Sequence, residues 1–409
     1  MTTAPPRTRT GQAGRRSAPG APPEPERRGF AAVVPIRRMF AIEHRDALLL
    51  IGTTLFLTGF GLVMVLSASS VSGQAADGDP FGRAVRQAVF AAVGIPLMLV
   101  VGRLPMPFWK RWAVPALLGA LVLQLLVFVP GLSNGNGFNT AWVTIGSFQF
   151  QPSEFLKFAL IIWMASVFAG RADELGDVKR LTIPVVPVVA VAVGLVLAGK
   201  DLGTASIIFF IVFACAFFAG AKIWHLLLGV AGIAALAVAV AVTSPNRVER
   251  ITTFLNGCSD ADYSNTCWQV FQAYYGLANG GILGVGLGNS RAKWSWLPEA
   301  DSDYIFAIIG EELGLIGAIV VIALFVLLAI VLFRIMRKAS DPFARVVVGG
   351  TLVWIVGQAF VNIAVVLGLL PVLGVPLPLI SAGGSSLLAV LLGLGVVLSF
   401  TRAGRSRLR

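Results

Sequence analysis

Charge and histidine are what this chain has least of. Only 13% of its 409 residues are Asp, Glu, Lys or Arg, and it holds two histidines and three cysteines. A soluble globular chain carries roughly 25% charged residues, so an ordinary water-covered surface is excluded. No Cys/His spacing matches a zinc site. No Walker motif occurs, and no soluble domain stands beside the apolar stretches to hold ATP. Any reaction must therefore draw on an activated substrate or an ion gradient. The apolar/polar alternation of a membrane barrel is also missing.

What is present is apolar: 56% of the residues are hydrophobic. Runs of about 20 apolar residues cross a bilayer as helices. Such runs occur near 47–69, 85–103, 112–130, 153–169, 182–199, 202–221, 223–243, 304–333, 344–369 and 378–401. The run at 304–333 is long enough to tilt or to extend beyond the bilayer. The expected fold is all-α, a polytopic membrane protein of about ten transmembrane helices.

Charges between the runs set the orientation. The N-terminal tail holds Arg7, Arg9, Arg15, Arg16, Arg27, Arg28, Arg37, Arg38 and Arg45. Alternate connections hold Arg103, Lys110 and Arg111, then Arg171, Lys179 and Arg180, then Lys222, then Arg334, Arg337, Lys338 and Arg345. The C-terminus holds Arg402, Arg405, Arg407 and Arg409. With ten spans all of these share one side, which the positive-inside rule makes cytoplasmic, both termini included. The net charge of +12 is then a topology signal rather than a nucleic-acid footprint. His44 and His225 fall on the same side, so histidine-based catalysis at the outer face is not expected.

Residues 1–45 read as a disordered Arg/Pro-rich tail, 46–402 as a ten-helix membrane domain with a large external loop at about 244–302, and 403–409 as a basic tail. The first tail lacks a signal peptide's apolar segment and cleavage site, so the first span is expected to act as an uncleaved anchor. Its arginines suit anionic lipid headgroups or a cytoplasmic protein partner.

Polar residues gather on the outer side. Gln151-Pro152-Ser153-Glu154 reads as a helix start, with Pro in the first turn and an acid at the positive dipole end. Glu154 and Lys157 share a helical face and can pair. Glu311 and Glu312 lie about two turns into the eighth span, and Gln358 and Asn362 share a face of the ninth. Ionisable groups at membrane depth are functional candidates; the alternative is that they tie helices together. Cys258 and Cys267 share the external loop, where an oxidising exterior permits a disulfide; two free thiols are the other reading. Cys215 lies inside a span as a small apolar residue.

The external loop ends in a glycine-rich stretch with Gly280, Gly281, Gly284, Gly286 and Gly288. No strand precedes it, so it is not a dinucleotide fingerprint. A close-packed turn that lets backbone approach a substrate is the expected role. Asp303 follows at the start of the eighth span. It can serve as an N-cap or, half-dry beside Asp301, as a general base with raised pKa.

Six blocks make the chain resemble a known family: WVTIGSFQFQPSEFLK (Trp142–Lys157), KDLGT (Lys200–Thr204), FAGAKIW (Phe218–Trp224), NRVERITTFLN (Asn246–Asn256), the stretch from Gly280 to Gly314, and LLPVLGVPLPLISAGGSS (Leu369–Ser386). In order within a ten-span chain, they resemble the SEDS family (shape, elongation, division and sporulation proteins), its division branch more than its elongation branch. The resemblance implies a peptidoglycan glycosyltransferase that polymerises lipid II at the outer face of the cytoplasmic membrane, at the division septum. Its key acid falls on Asp303. The substrate-binding set expected with it is Trp142, Glu154, Lys157, Asp201, Arg247, Arg250, Lys293, Glu299, Ser381 and Ser385. Lys157, Arg250 and Lys293 are the cations expected to meet the pyrophosphate, alone or with a divalent cation such as Mg or Mn. A class B penicillin-binding transpeptidase, other division proteins and membrane lipids are the implied partners.

The chain departs from the family's pattern in places. Ala141 stands before Trp142 where an arginine is usual, so a cation is lost there or supplied by Arg247, Arg250 or Lys293. Asp301 stands where a histidine is usual, and Lys200 where a proline is. CWQVFQAYYG replaces the usual GYQ-x-x-QS stretch. Three alternatives stay open: a lipid II flippase, an elongation-type polymerase and a non-catalytic scaffold for division proteins.

Overall fold

A computed structural model describes residues 45–133, 140–146, 148–171, 178–242, 267–294 and 296–402. The helices are α1 (Arg45–Asp77), α2 (Gly82–Val101), α3 (Met106–Leu125), α4 (Pro152–Ala169), α5 (Val178–Ala198), α6 (Leu202–Ala219), α7 (Ile223–Val242), α8 (Trp268–Gly280), α9 (Ile305–Lys338), α10 (Pro342–Leu352), α11 (Gln358–Val366) and α12 (Gly384–Arg402). A π-helical turn, Val353–Gly357, joins α10 to α11 into one span.

The fold is all-α and polytopic, as the apolar runs require. Among the described residues eight spans are long and apolar enough to cross a membrane, and two shorter apolar stretches, Ile183–Ala198 and Ile223–Gly232, belong to α5 and α7. Large side chains such as Leu48, Phe56, Val122 and Ile319 face outward, as lipid contact demands. Trp354, Phe306, Phe325 and Phe343 fill the interior.

Two elements were not expected from the apolar runs. The outer stretch before α4 folds into an antiparallel hairpin, β1 (Val143–Ile145) with β2 (Phe148–Phe150). Its residues alternate apolar and polar over too few positions to register against ten helical runs. Within the long external loop α8 forms a helix of 13 residues, with the Trp268 ring tilted against that of Trp296 at 5.9 Å between centroids.

The glycine-rich stretch after α8 packs against α9. The helix α9 breaks at Gly314, whose φ of 68° and ψ of −167° are non-helical. The loop backbone fills the break: Val285 N donates to Glu311 O, Gly286 N to Glu312 O, and Leu315 N donates back to Gly281 O. A Cβ on Gly284 would lie 2.2 Å from Glu312 O, so only glycine permits the approach. The close approach expected here is real, and the backbone that the loop meets is that of α9.

Candidate active site

The loop between α11 and α12 brings the outer polar residues together. Leu373 O lies where a Cβ on Gly203 would sit, so the loop rides on the start of α6. Gly374 lies against the Asp303 carboxylate. Asn362 Nδ2 donates to Val375 O at 2.8 Å and to Asp303 O at 2.6 Å. Ser381 Oγ donates to Ser302 O, and Ala382 N to Asp301 O. The turn 299–304 is thus held by backbone and hydroxyl contacts on three sides.

Asp303 is half-buried in this turn. Tyr304 occupies the N-cap position of α9 and makes no side-chain cap bond, so Asp303 is not the cap of that helix. Among the described residues its carboxylate ends no hydrogen bond or ion pair. Burial first, then the charges of Glu299, Asp201 and Asp301, push its pKa up to about 7. Desolvation disfavours the charged form, and neighbouring carboxylates add to it.

Asp201 caps α6, accepting from Thr204 N at 2.9 Å, and takes a second bond from Gln151 Nε2. Burial raises its pKa too, opposed by the bonds from Thr204. Gln151 N donates to Ser385 Oγ. Ser385, Gln151, Asp201 and Thr204 therefore form a chain from α12 across the start of α4 to α6.

Below this chain lies a deeper cluster. Lys157 pairs with Glu154 at 2.8 Å and donates to Gln358 Oε1, with its ammonium 5.5 Å from the Trp354 ring centroid. Gln358 Nε2 in turn donates to Pro376 O. The π-helical turn carries Trp354 and presents Gln358 to Lys157, a local irregularity often found at functional sites.

The described residues with left-handed φ outside glycine are Lys200 (64°), Glu299 (52°) and Leu379 (67°). Lys200 directly precedes Asp201, Glu299 lies in the turn that carries Asp303, and Leu379 lies in the α11–α12 loop that holds it. Each costs on the order of 1–3 kcal/mol, and such strain gathers at functional sites.

Some expected residues are placed differently. Lys293 is buried and salt-bridged to Glu312 at 3.1 Å, so its charge is committed inside the protein and is not offered to a pyrophosphate. Lys157 is likewise buried against Glu154. Glu299 is exposed and accepts from Ser302 Oγ. Trp142 is half-buried directly before β1. Arg247, Arg250 and Cys258 lie outside the described residues; Cys267 is disulfide-bonded and Cys215 is free. Among the described residues no group of three or more His, Cys, Asp or Glu side chains stands together as metal ligands.

Two site residues escaped the sequence reading. Arg83 Nη1 donates to Asp301 Oδ2 at 2.8 Å, and Gln87 bridges Ser381 O and Gly383 N. A basic residue at the outer end of a span runs against the positive-inside rule, and that exception was the available signal.

Comparisons with known proteins bear on the family and the fold. The family model for cell cycle proteins, FtsW/RodA/SpoVE, matches residues 47–406. The chain is 39% identical over 354 residues to a Mycobacterium tuberculosis protein named "Probable peptidoglycan glycosyltransferase FtsW", covering 87% of this chain and 67% of that one. It is 36% identical to the stage V sporulation protein E of Bacillus subtilis, over 88% of this chain and 98% of the relative. A solved structure described as "Structural coordination of polymerization and crosslinking by a peptidoglycan synthase complex" matches with a TM-score of 0.71 and 27% identity, over 87% of this chain and 97% of that chain. The rod-shape-determining protein RodA of Thermus thermophilus matches with a TM-score of 0.63 and 26% identity, over 86% and 95% of the two chains.

Proposed function

The chain belongs to the FtsW/RodA/SpoVE family, and on that premise we propose that it is a peptidoglycan glycosyltransferase that polymerises lipid II at the outer face of the membrane. One observation carries the mechanism: a half-buried carboxylate, Asp303, left without a hydrogen-bonding partner among the described residues and with its pKa pushed up to about 7. A base of that strength suits proton removal near neutral pH.

The acceptor sugar's 4-hydroxyl is a weak nucleophile. Asp303 takes its proton as the oxygen attacks the anomeric carbon of the lipid-linked donor. The C–O bond to undecaprenyl pyrophosphate breaks on the opposite side, so the α-linkage becomes β. The leaving group is already activated, so no ATP is consumed. Asn362 and the α11–α12 loop hold the turn that carries the base. With Lys157 and Lys293 paired internally, Arg247 and Arg250 are the cations assigned to the pyrophosphate.

The higher identity to FtsW than to RodA favours the division branch. The relative solved as a peptidoglycan synthase complex supports a transpeptidase partner, a class B penicillin-binding protein. The test is a gel assay of lipid II polymerisation by purified protein, with and without its cognate transpeptidase. Polymer from wild type and none from a folded Asp303→Asn protein is the expected result. Normal polymer from that variant refutes the assignment, and leaflet exchange of labelled lipid II without polymer makes the protein a flippase. Depletion in cells separates the branches: filaments mark division, rounded cells elongation.

A further inference from the structure

The turn that carries Asp303 is gripped by a cation that the reaction above does not use. Arg83 sits in the first turn of α2 and pairs with Asp301 at 2.8 Å. Gln87, one helical turn on, holds the α11–α12 loop through Ser381 and Gly383. One face of α2 therefore clamps both halves of the site. The Asp301 side chain is 6% exposed and that of Arg83 is 39% exposed.

The charges around Asp303 can be followed element by element. Its own turn supplies Glu299 and Asp301. The start of α6 supplies Asp201, preceded by exposed Lys200. Behind Asp201, α4 supplies Glu154 and Lys157, which pair with each other. Asn362 of α11 and Gly374 of the loop are neutral. From α2 comes Arg83, bonded to Asp301 two residues from the base.

We propose that Arg83 is a positioning residue for the general base: by neutralising buried Asp301 it balances the charge of the 299–304 turn and sets the pH range in which Asp303 works. This rests on the proposed polymerase reading. The pair is neutral as a unit, and that separates charge from mere structure. Arg83→Ala leaves Asp301 bare and should move the acid limb of the kcat profile up by about one pH unit. Asp301→Asn removes an anion beside the base while Arg83 keeps its charge, and should move the limb down by a similar amount. The double variant removes both charges and should return the limb to its wild-type position. A structural clamp alone would lower kcat in all three and leave the limb where it was.

The experiment measures kcat against pH at saturating lipid II on full-length protein, with thermal unfolding in detergent to establish folding. Infrared difference spectra follow, without turnover, the carboxylic-acid band that Asp303→Asn removes. Opposite shifts in the single variants and recovery in the double are expected. An unmoved limb and an unmoved band in folded variants overturn the proposal. If Arg83→Ala does not fold, Asp301→Asn decides alone: a downward shift supports the role and a fixed limb refutes it. A band that shifts as expected in a protein that makes no polymer places the fault with the polymerase reading instead.

Discussion

Two clusters of buried acids lie near the outer end of α9, and they are built in opposite ways. Glu311 accepts from Asn279 Nδ2, Ser290 Oγ, Arg291 N and Ala292 N. Glu312 accepts from Ser67 Oγ, Ser290 N and Lys293 Nζ. Every charge there is met by donors, and the result fastens the glycine-rich loop and α1 to α9. Asp303, eight and nine residues earlier, has acids around it and among the described residues no donor on its carboxylate. A saturated carboxylate stabilises a fold; a desolvated and unsaturated one retains its appetite for a proton. The same functional group is thus saturated at one depth and left open at another, where the proposed chemistry would use it.

The contrast is broken most directly by removing each acid in turn. Asp303→Asn should reduce lipid II polymerisation by about 10²–10⁴-fold, the usual worth of general-base help, with thermal unfolding unchanged. Glu312→Ala should do the reverse first: it strands buried Lys293 and should cost about 3–5 kcal/mol of stability, read as a lowered unfolding temperature in detergent. If Asp303→Asn unfolds the protein while Glu312→Ala spares it, the division of labour drawn here is wrong.

The pH profile sharpens the comparison further. A base must be ionised, and Asp303 ionises above about 7. Turnover should therefore fall about tenfold per unit as pH drops below that point and level off above it. A limb near the ordinary carboxylate value of 3.8 would mean that burial does not tune this acid.

Smaller effects should come from the joints. Gly284→Ala forces a methyl group against Glu312 O and should destabilise the loop by about 1–3 kcal/mol, measured by proteolysis of the outer face. Lys110→Ala breaks an exposed pair with Asp341, far from the proposed site in sequence. It should cost under about 1 kcal/mol and leave polymerisation intact.

Legibility in the sequence followed range. The spans were readable because a bilayer imposes a length and a composition on each helix, and every helix except α8 falls where an apolar run does. The Glu154–Lys157 pair was readable because it lies within one helical turn. Asp303 was readable from a local pattern at the mouth of a span. The Lys293–Glu312 pair was not readable because a loop folding back on α9 makes it. Arg83 was missed because Asp301 is 218 positions away along the chain.

By itself, then, the sequence determined an all-α polytopic membrane protein and its family, since hydropathy and short motifs act locally. The tertiary structure alone decided which charges cancel and which stay exposed to a substrate. Coulomb interactions and desolvation depend on distance through space, and only the packed bundle sets those distances.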